Sequence, residues 1–490
     1  MGIGLLLELG TAMAGDQIAV SRGAQAWTFA ELDERVNAAA AMIRASPARS
    51  VAYLGLNGPA FHVALFASAR AGRPITPLNY RLAADQIAAL LAQLEDPIVI
   101  ADEAYAAVTA GHPVITTEEL LRLDATDQIA DECADDSPAV VLFTSGTTSV
   151  PKGVVLRHSN LVSYVLQTVE PGSAEPTDAA LVCVPPYHIA GVGTVLTNTL
   201  AGRHVVHVPN FTADGWLEVA AKKQVTSAMV VPTMLARIVE HLGDAIADIP
   251  SLRSIAYGGA RIPPSVLARA LRAFPEAGFV NAYGLTETSS TIALLGPEDH
   301  RAALASRDPA VAVRLGSAGR FVPGIEGEIR DEHGSVLLPG ETGELWVRGP
   351  QVSGEYLEVG NVVNVDGWFP TRDRAHLDED GYLFVEGRAD DTIIRGGENI
   401  APAEVEDVLA EHPSVREVAV IGVPDEQWGE RLVAVVVLRA PAAAEELEDF
   451  VRSRLRGSRT PDDIYFRDEL PMTPTGKIIR RDLIDSVLRN

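Results

Sequence analysis

The feature that most limits the fold is an alternation of short apolar runs with helical stretches. Val51-Ala-Tyr-Leu-Gly55, Ile98-Val-Ile-Ala101 and Ala139-Val-Val-Leu-Phe143 are mostly apolar segments of strand length. Such runs read as strands buried on both faces, because a sheet with one wet face alternates polar and apolar positions. Between them lie helical stretches such as Ala30-Glu-Leu-Asp-Glu-Arg-Val-Asn-Ala-Ala-Ala-Ala-Met-Ile43. Strand and helix taken in turn predict an α/β protein with largely parallel sheets.

The pattern changes near residue 320. Glu326-Gly-Glu-Ile-Arg330 and Gly343-Glu-Leu-Trp-Val-Arg-Gly349 are short, glycine-punctuated strands, which predicts a small antiparallel subdomain over roughly 320–389. After Gly387-Arg-Ala-Asp-Asp391 comes a compact unit of about a hundred residues. It contains a helix at Val405-Glu-Asp-Val-Leu409 and strands at Val418–Gly422 and Leu432–Leu438. The expected organisation is a large domain at 1–389 and a small α+β domain at 390–490, with the boundary at Asp390. A chain of 490 residues exceeds one ordinary core, so two or three domains are the prior.

Lys and Arg number 40 against 66 Asp and Glu, a net charge of −26. A general nucleic-acid or anionic-membrane binder needs a basic surface, so neither partner is expected. The N-terminal Met1-Gly-Ile-Gly-Leu-Leu-Leu7 lacks a basic region and Glu8 interrupts it, which argues against a signal peptide. No run is long enough for an integral membrane segment. The two cysteines, Cys133 and Cys183, form neither a metal spacing nor a disulfide framework, so a cytoplasmic location is expected. A homodimer is one assembly left open.

The stretch Thr144-Ser-Gly-Thr-Thr-Ser-Val-Pro-Lys-Gly153 follows an apolar strand. Its backbone N–H groups and hydroxyls suit phosphate oxygens, and Lys152 adds positive charge. It is not a P-loop: Pro151 rather than Gly precedes the lysine, Gly153 follows it, and Val154-Val-Leu reads as another strand. The next helix is expected to start with Ser159 or Asn160 as its N-cap. A surface loop of turn formers is the bland alternative.

That loop resembles the phosphate loop of the adenylate-forming superfamily, which includes acyl- and aryl-CoA synthetases, peptide-synthetase adenylation domains and luciferases. Four more stretches occur in the family's order: Asn281-Ala-Tyr-Gly-Leu-Thr-Glu-Thr288, Gly367-Trp-Phe-Pro-Thr-Arg-Asp373, Gly387-Arg-Ala-Asp-Asp-Thr-Ile-Ile-Arg-Gly-Gly-Glu-Asn-Ile400 and Pro474-Thr-Gly-Lys-Ile478. The resemblance covers essentially the whole chain. It is nearest to bacterial aryl- and medium-chain acyl-CoA ligases of the 4-chlorobenzoate–CoA ligase type.

The resemblance implies an ATP-dependent acid–CoA ligase using ATP, Mg²⁺ and coenzyme A. Lys477 would bridge the substrate carboxylate and the α-phosphate, Thr286 would contact that phosphate, and Glu287 would hold the metal. The ATP and AMP contacts would include Thr144, Ser145, Gly146, Thr147, Thr148, Lys152, Gly259, Ala260, Asn281, Ala282, Tyr283, Gly284 and Val385. Tyr283 would stack on adenine, while Asp373 and Arg388 would hold the ribose. His188, Gly193, Tyr257, Gly259 and Ala282 would line the acyl pocket. Gly396, Gly397, Trp428 and Arg459 would meet CoA, with Asp390 as the hinge of a rotating small domain. Alone, each residue has a plainer reading: Lys477 a solvated lysine, Glu287 a helix-start carboxylate, Asp373–Arg388 an exposed ion pair, and His188 a structural imidazole.

Departures from the family pattern are Ser149 for glycine in the loop and Arg372 for Gly or Ser before the ribose aspartate. The stretch after Val352 is shortened, and within Gly457-Ser-Arg-Thr-Pro461 Arg459 is the one basic residue. The shortened stretch argues against a fatty acyl-AMP ligase, which would load a carrier protein. The gate segment Tyr187–Gly193 offers no carboxylate for an amino-acid substrate's ammonium group. A non-catalytic nucleotide-binding regulator fits poorly with Lys477, Glu287 and Asp373 all present.

Overall fold

A computed structural model describes residues 2–109, 111–124, 134–144, 151–388, 391–396, 398–425, 428–455, 457–473 and 478–489, the side chain of Asn399 excepted. Among these, the strands form four sheets. The first has nine strands, and its parallel centre runs through Ser254–Gly258, Ser227–Val230, Ala179–Val182 and His204–His207. The second has eight strands, with Ser50–Leu54 at its parallel centre between Ile75–Pro77 and Pro97–Ala101. The expected α/β architecture with largely parallel sheets is observed. Antiparallel pairs occur toward the sheet edges, as between Gly278–Leu285 and Ser290–Leu295.

Local sequence explains the helices. Helix Phe29–Ala45 opens on a capping box: the Thr28 hydroxyl accepts the Glu31 N–H at 3.1 Å, and the Glu31 carboxylate accepts the Thr28 N–H at 2.8 Å. Helix His158–Thr168 starts earlier than expected. Arg157 is its N-cap, and Asn160, from the third position, accepts the Arg157 N–H at 3.1 Å. One apolar core joins both large sheets through the helices between them, including Val20, Phe61, Val140, Leu161 and Leu196.

Strands Glu326–Arg330, Gly343–Arg348, Phe369–Leu377 and Leu383–Arg388 form the expected antiparallel sheet. The last sheet is built from strands between Ile393 and Phe466 and carries helix Pro402–Ala410. The proposed boundary residue, Asp390, lies outside the described residues. Arg261, just past strand Ser254–Gly258, is ion-paired with Asp407 of helix Pro402–Ala410.

Candidate active site

Thr144 and Lys152 pair across an antiparallel hairpin formed by strands Pro138–Thr144 and Lys152–Arg157. The strands on either side of the stretch therefore pair with each other, in keeping with a stretch that joins two strands rather than opening a helix. Ser145, Gly146, Thr147, Thr148 and Ser149 lie outside the described residues, as do Gly397 and Lys477. The Lys152 ammonium lies 5.8 Å from the centroid of the Tyr356 ring.

Strand Gly278–Leu285 delivers Asn281, Ala282, Tyr283 and Gly284, and the short 3₁₀ turn Thr286–Thr288 holds Thr286 and Glu287. The Asn281 amide donates to the Ser317 carbonyl at 2.9 Å. Ser289 and Ser290 then take φ of 55° and 110°. Such values are costly for residues with a Cβ, and backbone strain of this kind gathers at functional sites.

Tyr283 donates its hydroxyl to one oxygen of Asp373, and Arg388 donates to the other at 3.0 Å. The carboxylate is buried, so the exposed ion pair that spacing alone suggested is not what forms. A bulge explains its aim. Opposite Leu345, three residues of the neighbouring strand, Thr371 to Asp373, fill the interval between two register pairs. The Thr371 hydroxyl donates to the Leu345 carbonyl at 2.8 Å and accepts the Asp373 N–H at 3.1 Å. Arg372, between them, sits at φ 62°. Bulges beside active sites re-aim side chains in this way. Val385, on the partner strand, packs against the sheet's apolar core.

The glycine turn Gly258–Ala260 follows the central strand. A Cβ at Gly258 would come within 2.1 Å of the Ala282 carbonyl oxygen. Gly259 adopts φ +85°, a conformation glycine alone takes without strain.

Strand parity separates two faces of the central strands. Ala228, Val230, Ile255, Tyr257 and Phe279 point into one apolar core. The alternate cross-strand row, Met229, Ala256 and Val280, is half-buried on the opposite face. That face looks toward helix Ile189–Ala201, where the Thr194 hydroxyl is 3.9 Å from the Met229 sulfur. Gly193 lies on the same helix, and a Cβ there would stand 3.2 Å from the Tyr164 ring and 3.7 Å from the Ser290 hydroxyl. Tyr257, expected to line the acyl pocket, faces the covered core instead. It is 1% exposed, and its hydroxyl is hydrogen-bonded to His300 Nε2 at 2.9 Å. Met229, Ala256 and Val280 were not singled out from the sequence, because periodicity marks alternate faces without saying which one is covered.

His188 is the N-cap of helix Ile189–Ala201, and its ring lies 4.5 Å from that of Tyr187. Burial, assisted by Arg81, lowers its pKa to about 4, so the imidazole is neutral. Its Nε2 and the Tyr187 hydroxyl are buried without a hydrogen-bond partner among the described residues. Buried polar atoms without partners are rare and point to a ligand or water at this position.

In the small unit, a Cβ on Gly396 would stand 3.0 Å from the Trp428 indole, and the Gly396 N–H donates to the Trp428 carbonyl at 2.7 Å. These two expected CoA contacts do meet, and Trp428 is 46% exposed. Arg459 differs from expectation: its guanidinium is engaged by both Glu398 and Glu404 and is only 17% exposed. It is not a free cation awaiting phosphate.

Tyr356 lies in the shortened stretch after Val352, and no motif singled it out. Its hydroxyl donates to Glu287 Oε1 at 2.9 Å. Arg388 is close enough to feel the Glu287 charge, so the Glu287 and Asp373 groups converge on one region. No cluster of three or more His, Cys, Asp or Glu able to hold a metal occurs among the described residues. A single carboxylate suits a magnesium ion held mainly by nucleotide phosphates.

This fold is that of the adenylate-forming enzymes. o-Succinylbenzoate CoA synthetase (MenE) of Bacillus subtilis, in complex with its acyl-adenylate intermediate, matches with a TM-score of 0.86 at 30% identity over 98% of this chain and 97% of that one. The same protein with ATP and magnesium ion matches at 0.85 and 29%, over 98% of each chain. Feruloyl-CoA synthase of Amycolatopsis sp is 37% identical over 96% of both chains. The fatty acid–[acyl-carrier-protein] ligase ScoC of Streptomyces coeruleorubidus is 33% identical over 94% of this chain and 91% of its own. The AMP-binding enzyme model matches residues 8–357, and the AMP-binding enzyme C-terminal domain matches 404–477. The chain belongs to the AMP-binding enzyme family. Among the described residues, no helix is long and apolar enough to cross a membrane.

Proposed function

We propose that this enzyme is an AMP-forming acid–CoA ligase. The observation that carries the reading is the convergence of Tyr283, Asp373 and Arg388 with Glu287. A ribose-binding carboxylate beside a phosphate-side carboxylate suits a nucleotide laid along strand Gly278–Leu285.

In the first half-reaction, a carboxylate oxygen of the acid attacks the α-phosphorus of ATP, forming acyl-AMP and expelling pyrophosphate. Negative charge crowds at phosphorus, so catalysis is chiefly positioning and charge neutralisation. Thr286 meets the α-phosphate, Lys152 serves the phosphate tail, and Lys477 bridges the two reacting groups. A magnesium ion held by Glu287 would offset charge on the leaving pyrophosphate. In the second half-reaction, the CoA thiol attacks the acyl carbon, loses its proton and expels AMP. The small unit turns about Asp390 between the steps, which requires the Arg261–Asp407 pair to separate.

The acid has an apolar body. Met229, Ala256 and Val280 offer it apolar surface, Gly193 leaves it width, and neutral His188 offers one polar contact. The test is pyrophosphate release across aryl acids and straight-chain acids from acetate to palmitate, with and without CoA. Thioester should appear only with CoA. Acyl-AMP that accumulates with CoA present and is consumed by a carrier protein would make the enzyme a carrier-loading ligase, as ScoC is named.

A further inference from the structure

The segment from Gln351 to Glu358 touches both nucleotide-facing elements. Gln351 is fully buried, and its amide donates to the carbonyls of Thr288 and Thr291 at 2.9 and 2.8 Å. The backbone N–H groups of Ser353 and Gly354 donate to the Glu287 carbonyl at 2.8 and 3.3 Å. Tyr356 then donates to the Glu287 side chain at 2.9 Å. On its other side the segment joins the phosphate hairpin. Tyr356 pairs with Val154, the Leu357 N–H donates to the Gly153 carbonyl at 2.8 Å, and the Gly153 N–H donates to Glu358 at 3.1 Å. Arg157 also holds the middle of the segment through Glu355, at 2.8 and 2.9 Å.

We propose that Tyr356 is a positioning residue that fixes the Glu287 carboxylate for a divalent cation and ties it to Lys152 of the phosphate hairpin. The proposal rests on the reading that Glu287 meets the metal. A carboxylate held at one oxygen by a hydroxyl donor presents its second oxygen in a set direction. The ring also faces the Lys152 ammonium at 5.8 Å, within cation–π range. One side chain thus contacts the proposed metal ligand and the phosphate-side cation together.

The test is Tyr356→Phe, which keeps the ring beside Lys152 and removes the hydroxyl. Three quantities are compared with wild type: the free Mg²⁺ giving half-maximal ATP–pyrophosphate exchange, Mn²⁺ affinity for the enzyme with a non-hydrolysable ATP analogue by electron paramagnetic resonance, and metal-free AMP affinity. We expect the first two to weaken about tenfold, the scale of one hydrogen bond to a charged group. Metal-free AMP affinity and the melting temperature should hold. Unchanged metal affinity in Tyr356→Phe, with Glu287→Gln weakened, overturns the positioning role alone. Unchanged metal affinity in Glu287→Gln overturns the reading of Glu287 itself, and the proposal with it.

Discussion

Tyr283 donates its phenol to Asp373 while Arg388 holds the other carboxylate oxygen at 3.0 Å. The proposed ribose carboxylate is thus oriented before any nucleotide arrives, with burial and the adjacent charge raising the pKa of the Tyr283 phenol. Removing the hydroxyl with Tyr283→Phe leaves a ring for adenine but frees the carboxylate to rotate. AMP affinity, measured by calorimetry, should fall about tenfold, and Asp373→Asn should cost more because it also leaves Arg388 without its charge partner.

Lys477 is expected to act at the reacting phosphorus rather than in nucleotide binding. Lys477→Ala should lower acid-dependent pyrophosphate release by about 10²–10³ while leaving AMP affinity within about twofold of wild type. Full adenylation activity in that variant would remove the lysine from the mechanism.

Gly193 sets the width between helix Ile189–Ala201 and the start of strand Ser290–Leu295. Gly193→Val places branched carbon where even a Cβ stands 3.2 Å from Tyr164. The kcat/KM of the bulkiest accepted acid should drop at least about tenfold relative to the smallest one, the scale of a methylene or two in a tight pocket. An unchanged substrate profile would place the acyl group elsewhere.

Arg372 is an exposed residue at φ 62°. That conformation costs a residue with a Cβ about 1–2 kcal/mol, against about 0.5–1 kcal/mol of extra unfolded-state entropy for glycine. Arg372→Gly should therefore stabilise the protein by up to about 1 kcal/mol, read from the midpoint of urea unfolding. If the midpoint falls, the guanidinium makes a stabilising contact larger than the strain.

Burial holds several imidazoles neutral, among them His62, lowered to about 3, His188 and His204, each lowered to about 4, and His207, well below its usual value. His62 and His207 share one hydrogen bond, Nε2 to Nε2 at 2.9 Å. With the folded pKa depressed, the unfolded chain takes up the proton first, so stability is lost as pH falls below about 6.5. Between about pH 7.5 and 5.5 each such group removes about 1.4 kcal/mol. Unfolding free energies at the two values should differ by several kcal/mol, and His62→Gln should shrink the difference by roughly one group's share. A pH-independent midpoint would mean that these rings meet water in the folded protein.

Much of this protein was legible in its sequence, because the signals were local. The runs at Val51, Ile98 and Ala139 are strands where expected, since apolar run length and turn residues act over a few positions. The antiparallel sheet after residue 320 and the helix through Val405 followed from the same signals. Resemblance to the family's motifs likewise named Glu287, Asp373 and Arg388, whose groups the fold gathers in one region.

Tertiary structure alone decided which partner each side chain met. Alternation along strand Ser254–Gly258 separated Tyr257 from Ala256, but only the packing of Phe279 and His300 made the tyrosine's face the covered one. Arg459 was a lone cation in the sequence and is neutralised by Glu398 and Glu404 from distant positions. Tyr356 reaches Glu287 across 69 residues of chain. A hydrogen bond is decided within tenths of an ångström, and that precision arises when separate segments pack against one another. Sequence thus determined the elements and the chemistry they carry, while packing determined which of those groups face a ligand and which are spent on one another.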